Sequence, residues 1–132
     1  MGAFRSVAVV AATAAMFAVG TGAAVWAQTE WKAPADAKKT KNPEKATDLG
    51  KKSVETNCAA CHGPKGKGDG PAAAALNPKP GNWTSDKVKK ETDGELFWKI
   101  TNGRGAMPPW KHLPEKERWQ IVNYIRQLQK GG

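Results

Sequence analysis

The sequence predicts an all-α domain of three to five short helices, and three observations carry that prediction. Near the C-terminus Trp119, Val122, Ile125 and Leu128 recur every three residues, with Ile121 and Tyr124 beside them. That spacing wraps one broad apolar stripe around a helix. Thr92-Asp93-Gly94-Glu95 is a capping box, in which the threonine hydroxyl and the glutamate three residues later satisfy each other's backbone N–H groups. No run alternates apolar and polar residues in the way a half-buried strand does.

The elements follow in chain order. Residues 1–27 read as a signal peptide: Arg5 is the only charge in the first six residues, Val7 to Val19 is apolar or small, and Val25-Trp26-Ala27 places small residues at both specificity positions. Gln28 is then the mature N-terminus. The alternative is a retained anchor, since no charge falls between Val7 and Ala27 and about 20 apolar residues span a bilayer. Residues 28–46 are polar and lysine-rich, contain Pro34 and Pro43, and read as a flexible tether or an arm lying on the domain surface. Trp31 is the exception there, an indole able to dock back on the body.

The domain itself occupies residues 47–132. Its first helix starts at Thr47 or Asp48 and runs into Cys58 and Cys61. Gly50 lies four residues before Val54 on one helix face and lets another helix approach closely. The stretch Gly63-Pro64-Lys65-Gly66-Lys67-Gly68-Asp69-Gly70-Pro71 lacks the G-K-[ST] ending of a phosphate-binding loop. Its glycines suit a backbone lying close against a flat body. The capping box opens a helix carrying Leu96, Phe97 and Ile100, which Gly103 ends. The last helix opens at Leu113-Pro114-Glu115, with Glu115 and Glu117 at its positive dipole end, and Gly131 and Gly132 close it.

The chain is basic, with a formal charge of +9, and loss of Arg5 with the leader leaves about +8. The lysines are dispersed and alternate with acids, as in Lys87-Val88-Lys89-Lys90-Glu91, and no nucleic-acid-binding signature is present. A basic face that steers a monomer toward acidic partner proteins in transient encounters is the expected use. Membrane contact is expected only if the N-terminal segment is retained.

Both cysteines of the chain fall in Cys58-Ala59-Ala60-Cys61-His62. The spacing C-x-x-C-H lets two thiols form thioethers with the vinyl groups of one haem while the adjacent imidazole binds its iron. A thioredoxin-like couple would need a surrounding βαβ pattern. A zinc site needs four ligands, and outside the motif only His112 offers another strong one. A disulfide between residues three apart closes a small, often strained loop. For the opposite face of the iron, Met107 is the sole methionine left once Met1 and Met16 depart with the leader. It sits in Gly103-Arg104-Gly105-Ala106-Met107-Pro108-Pro109-Trp110, where two prolines stiffen the backbone. His112, five residues on, is the rival ligand, and an open face is the third alternative.

Residues 47–130 resemble a small class I c-type cytochrome of bacterial type. The resemblance rests on the cysteine motif with Gly63, on Gly66-x-Gly68-Asp69-Gly70-Pro71, on Glu95-Leu96-Phe97-Trp98, and on Met107-Pro108 with Trp110, all in the expected order. It implies a cytochrome c fold around one covalent haem c, with His62 and Met107 as axial ligands. It also implies that the first and last helices cross near Gly50 opposite Tyr124 and its neighbours. Val54 stands where the family often has an aromatic, so a looser crossing is expected. Pro71 would accept a hydrogen bond from the His62 ring. Trp83 would either donate its indole N–H to a haem propionate or be a core tryptophan bonded to a carbonyl. Trp98, Trp110 and Trp119 would pack around the cofactor. The implied function is a periplasmic one-electron carrier with no catalytic residues. The alternatives are a subunit docked permanently on a larger oxidoreductase and an open-site haem enzyme or gas binder.

Overall fold

In the computed structural model, whose described residues are 30–131, the chain runs through α1 (Ala35–Lys39), α2 (Asp48–Ser53), α3 (Ala59–His62), α4 (Asp86–Lys89), α5 (Asp93–Asn102) and α6 (Glu115–Lys130). Val54–Cys58 winds as one turn of π-helix, so residues 48–62 form a single helical run, and Ala73–Ala75 is a 3₁₀ turn. No strand occurs among the described residues, only a bridge between Arg104 and Met107. The all-α prediction holds. No helix among them is long and apolar enough to cross a membrane. The leader or anchor read over residues 1–27 lies outside the described residues.

The capping box forms as its spacing requires. Thr92 N–H donates to Glu95 Oε2 at 2.8 Å, and Glu95 N–H donates to the Thr92 hydroxyl at 3.3 Å. Partial burial pulls the Glu95 carboxyl upward. The Thr92 hydrogen bonds and the Lys38 ammonium at 3.6 Å outweigh it and hold the group below its ordinary value of 4.5. A carboxyl depressed by folding stabilises the native state above its unfolded pKa and loses that contribution as pH falls through the folded one. Thermal melts from pH 7 down to about 3 should therefore show an acid-dependent loss that Glu95→Gln reduces. An unchanged acid profile in the variant would show that the carboxylate contributes nothing.

α6 buries Trp119, Ile121, Val122 and Ile125, which meet Val54, Trp83, Leu96 and Ile100 in one core. Trp119 stacks on Phe97 with ring centroids 3.8 Å apart. Fully burying a side chain of this kind stabilises by about 1.5–3 kcal/mol. α2 crosses α6 at Gly50, where an added Cβ would overlap the backbone of Gln120. The residues opposite Gly50 are Gln120 and Ile121, one turn ahead of the expected Tyr124, which is half-buried against the core. Val54 is completely buried, so a valine closes this crossing without the aromatic the family often uses. Polar ties flank it: Leu49 N–H donates to Gln120 Oε1 at 3.1 Å, and the Ser53 hydroxyl donates to Glu117.

Residues 31–46 lie along the body, so a free tether is not what this stretch forms. Ala33 and Ala37 are buried, and the Ala37 carbonyl packs against Gly94 of α5. The Lys99 ammonium stands 5.4 Å above the Trp31 ring, the docking that indole was expected to provide. Asn42 donates to Asn123 Oδ1 at 2.8 Å, and Asn123 donates to the carbonyls of Glu44 and Ala46 at 3.0 and 2.9 Å. One α6 asparagine thus satisfies the backbone of an otherwise polar segment.

Candidate functional site

The helical run ending at His62 presents all three residues of the cysteine motif. Cys58 and Cys61 are three apart and share a helix face. Both are free and half-buried, and Cys58 packs on the core. Burial, with Cys61 as a second cause, pushes the Cys58 thiol from 9.0 to about 11. A sulfur held as the neutral thiol is a poor thiolate ligand and a poor redox nucleophile. Among the described residues no group of three or more His, Cys, Asp or Glu could hold a metal ion. The donor set therefore does not fit a zinc site.

His62 follows directly. Its Nδ1 lies 3.1 Å from the Gly81 carbonyl, and its ring stacks on Trp83 with centroids 4.6 Å apart and planes 25° off parallel. Burial lowers the imidazole pKa, with the Gly81 bond partly offsetting it, so the ring is neutral at pH 7. A carbonyl only accepts, which assigns the proton to Nδ1 and leaves the Nε2 lone pair for a metal.

The His62 ring donates to the Gly81 carbonyl and not to the expected Pro71 carbonyl. Gly70 N–H bonds the Cys61 carbonyl at 3.1 Å and Ala72 N–H bonds the Ala60 carbonyl at 2.9 Å. The backbone around the exposed Pro71 is thus committed to the end of α3. The later loop comes round to the ring: Trp83 N–H donates to the Gly66 carbonyl at 2.7 Å, and Gln129 Nε2 donates to the Trp83 carbonyl at 2.8 Å. Gly66 has φ of +67° and packs on the Trp83 ring, where a side chain would collide. Sequence reasoning missed Gly81. Its one signal was the turn chemistry of Pro80-Gly81-Asn82. Trp83 is 8% exposed and belongs to the core, and its stacking on His62 was also unforeseen.

Met107 is fixed by its backbone. Arg104 and Met107 exchange N–H···O bonds of 2.9 and 3.0 Å, and Trp110 N–H donates to the Ile100 carbonyl at 3.1 Å, pinning the loop to the end of α5. The Met107 side chain is half-buried against the same core that Cys58 touches. His112 is exposed beside Trp110, with ring centroids 5.4 Å apart. Of the two candidate ligands, Met107 is the inward one. Val88, Phe97, Trp110 and Leu113 are further half-buried apolar side chains on this core. Two unpaired thiols on one helix face, an imidazole with Nε2 free, and this apolar surround fit a covalently attached haem.

Comparison with known proteins agrees. Residues 45–125 match the family described as cytochrome c oxidase, cbb3-type, subunit III. The cbb3-type cytochrome c oxidase subunit CcoP of Azospirillum brasilense is 34% identical over 91 residues, which is 65% of this chain and 30% of the relative. A solved chain of the Kuenenia stuttgartiensis reducing HAO-like protein complex is 28% identical, with a TM-score of 0.57 over 67% of this chain and 45% of that one. The chain thus spans less than half the length of either relative. By the family match and by the residues that form its site, the chain belongs to the cbb3-type subunit III cytochrome family and is a small c-type cytochrome carrying haem c through Cys58 and Cys61.

Proposed function

We propose that this cytochrome is an exported one-electron carrier, with His62 and Met107 as the two axial ligands, that passes electrons between redox proteins of the bacterial envelope. The observation that carries the reading is the placement of Met107, turned inward by a short bridged loop against the core that Cys58 also touches. Haem c supplies a one-electron ferric–ferrous couple. The chain's part is to hold both ligands still as charge changes: Gly81 and Trp83 orient the imidazole, and the Arg104–Met107 bridge presents the sulfur. No substrate turnover is assigned to it.

A firmly bound sulfur closes the iron to outside ligands, so native ferrous protein should resist carbon monoxide. Rapid formation of a stoichiometric adduct would favour an open-site enzyme or gas binder instead. Intact mass spectrometry of the native protein tests export and loading together: the expected mass begins at Gln28 and includes one haem.

A second reading has its own support, because the two relatives named above are an oxidase subunit and a chain of a multi-protein complex. On that reading the cytochrome is permanently docked. Native purification separates the two, since a free carrier elutes as a monomer and a subunit co-elutes with its oxidoreductase.

A further inference from the structure

A groove of about 570 Å³ lies on the molecule between α2, α6 and the loop that follows His62. Lys51 of α2 and Lys65 and Lys67 of the loop line it, with Thr84, Tyr124 and Leu128, and no Asp or Glu is among its described lining residues. We propose that this groove docks an acidic segment of a redox-partner protein, one in which carboxylates flank an apolar side chain. The proposal rests on the electron-transfer reading above and gives it a place on the surface.

Three features argue for a protein segment over a small anion. The ammonium groups come from two separate elements, and a single exposed lysine–anion pair is weak, so a ligand gains by engaging all three at once. The half-buried Tyr124 and Leu128 offer an apolar floor that a hydrated anion cannot use. The net positive charge, +9 for the full chain and about +8 without Arg5, draws acidic surfaces toward the molecule before contact. Lys51 has a competitor in Glu55, yet that pair is 4.0 Å apart and both side chains are more than half exposed, so it yields readily.

The position also suits the use. Lys65 and Lys67 flank Gly66, which packs on the Trp83 ring, and that ring stacks on His62. A partner seated on these lysines is one aromatic ring removed from the iron-binding imidazole, on its side of the molecule.

The test uses the ¹⁵N-labelled, haem-loaded ferrous protein titrated with the peptide acetyl-Glu-Glu-Leu-Glu-Glu-amide at low salt. Amide shifts should centre on Thr84, Tyr124 and Leu128. Lys51→Glu/Lys65→Glu/Lys67→Glu should weaken binding by about tenfold or more, while the same charge change in the arm, Lys39→Glu/Lys41→Glu/Lys45→Glu, should leave it within about twofold. Equal loss in both variants would reduce the effect to net charge and overturn the proposal. The same shift map at similar affinity with inorganic phosphate would make the groove a small-anion site. Tighter binding to phosphatidylglycerol vesicles than to the peptide would assign it to lipid, and no shift at the groove would remove it altogether. The visible spectrum of the same samples reports ligation independently, so a failure of the carrier reading is distinguished from a failure of the docking site.

Discussion

Met107→Ala should lower the reduction potential, open the iron to carbon monoxide and abolish the sulfur-to-iron charge-transfer band. A thioether is a weak donor that favours ferrous over ferric iron, so losing it shifts the couple downward. Axial ligation tunes haem potentials over about 0.8 V, and the expected fall is on the order of 100 mV or more. The fold should survive, because the Arg104–Met107 bridge is made by backbone atoms and Met107 is only half-buried. His112→Ala should leave band and potential in place, since His112 is exposed beside Trp110. Spectroelectrochemical titration of both variants decides the matter. A band that persists without Met107 and is disturbed without His112 would reassign the ligand.

Gly50→Ala should be the most damaging conservative substitution at the α2–α6 crossing. Alanine is the better helix former by about 1 kcal/mol, so on propensity alone the change would stabilise. Here the added Cβ meets the carbonyl of Gln120 and the backbone of Ile121, which cannot rotate away as a side chain could. Opening the crossing also disturbs Val54 and Val122, both completely buried. Overpacking of this kind costs about 1–3 kcal/mol, and against rigid backbone the upper end applies. A net loss of about 2 kcal/mol should lower the melting temperature by roughly 10 °C in a domain of this size. Gly131→Ala is the control, because its Cβ would meet only the Gln127 carbonyl at an ordinary 3.9 Å. Equal melting temperatures for the two variants would show that the crossing tolerates a methyl group.

The features legible in the sequence were local ones. The capping box at Thr92 and Glu95 needs only residues three apart, and it formed as read. The stripe on α6 and the run from Thr47 into the cysteines follow from helical period, and the structure places both helices accordingly, although the Thr47 side chain makes no capping bond. Gly50 was legible as a close-packing position because an interior helix glycine has few other uses.

What escaped depends on contacts between distant segments. Pro71 and Gly81 are both loop residues, each with one carbonyl to offer the His62 ring. Choosing between them requires knowing that Gly70 and Ala72 are already bonded to Cys61 and Ala60. The docking of residues 31–46 likewise turns on Asn123, some 77 or more residues away, and on the fit of Ala37 against Gly94. Alanines in a lysine-rich stretch carry too little hydrophobicity to announce burial. Trp83 was marked as a cofactor or core residue, and only the folded loop shows that its ring lies on His62.

The central claim is ligation of one iron by His62 and Met107. Iron K-edge X-ray absorption of the native ferric protein tests it most directly, because a sulfur neighbour is distinguishable from nitrogen or oxygen. One sulfur scatterer beside the nitrogen shell, lost in Met107→Ala, is the predicted result. A shell of nitrogen and oxygen alone in the native protein would contradict it.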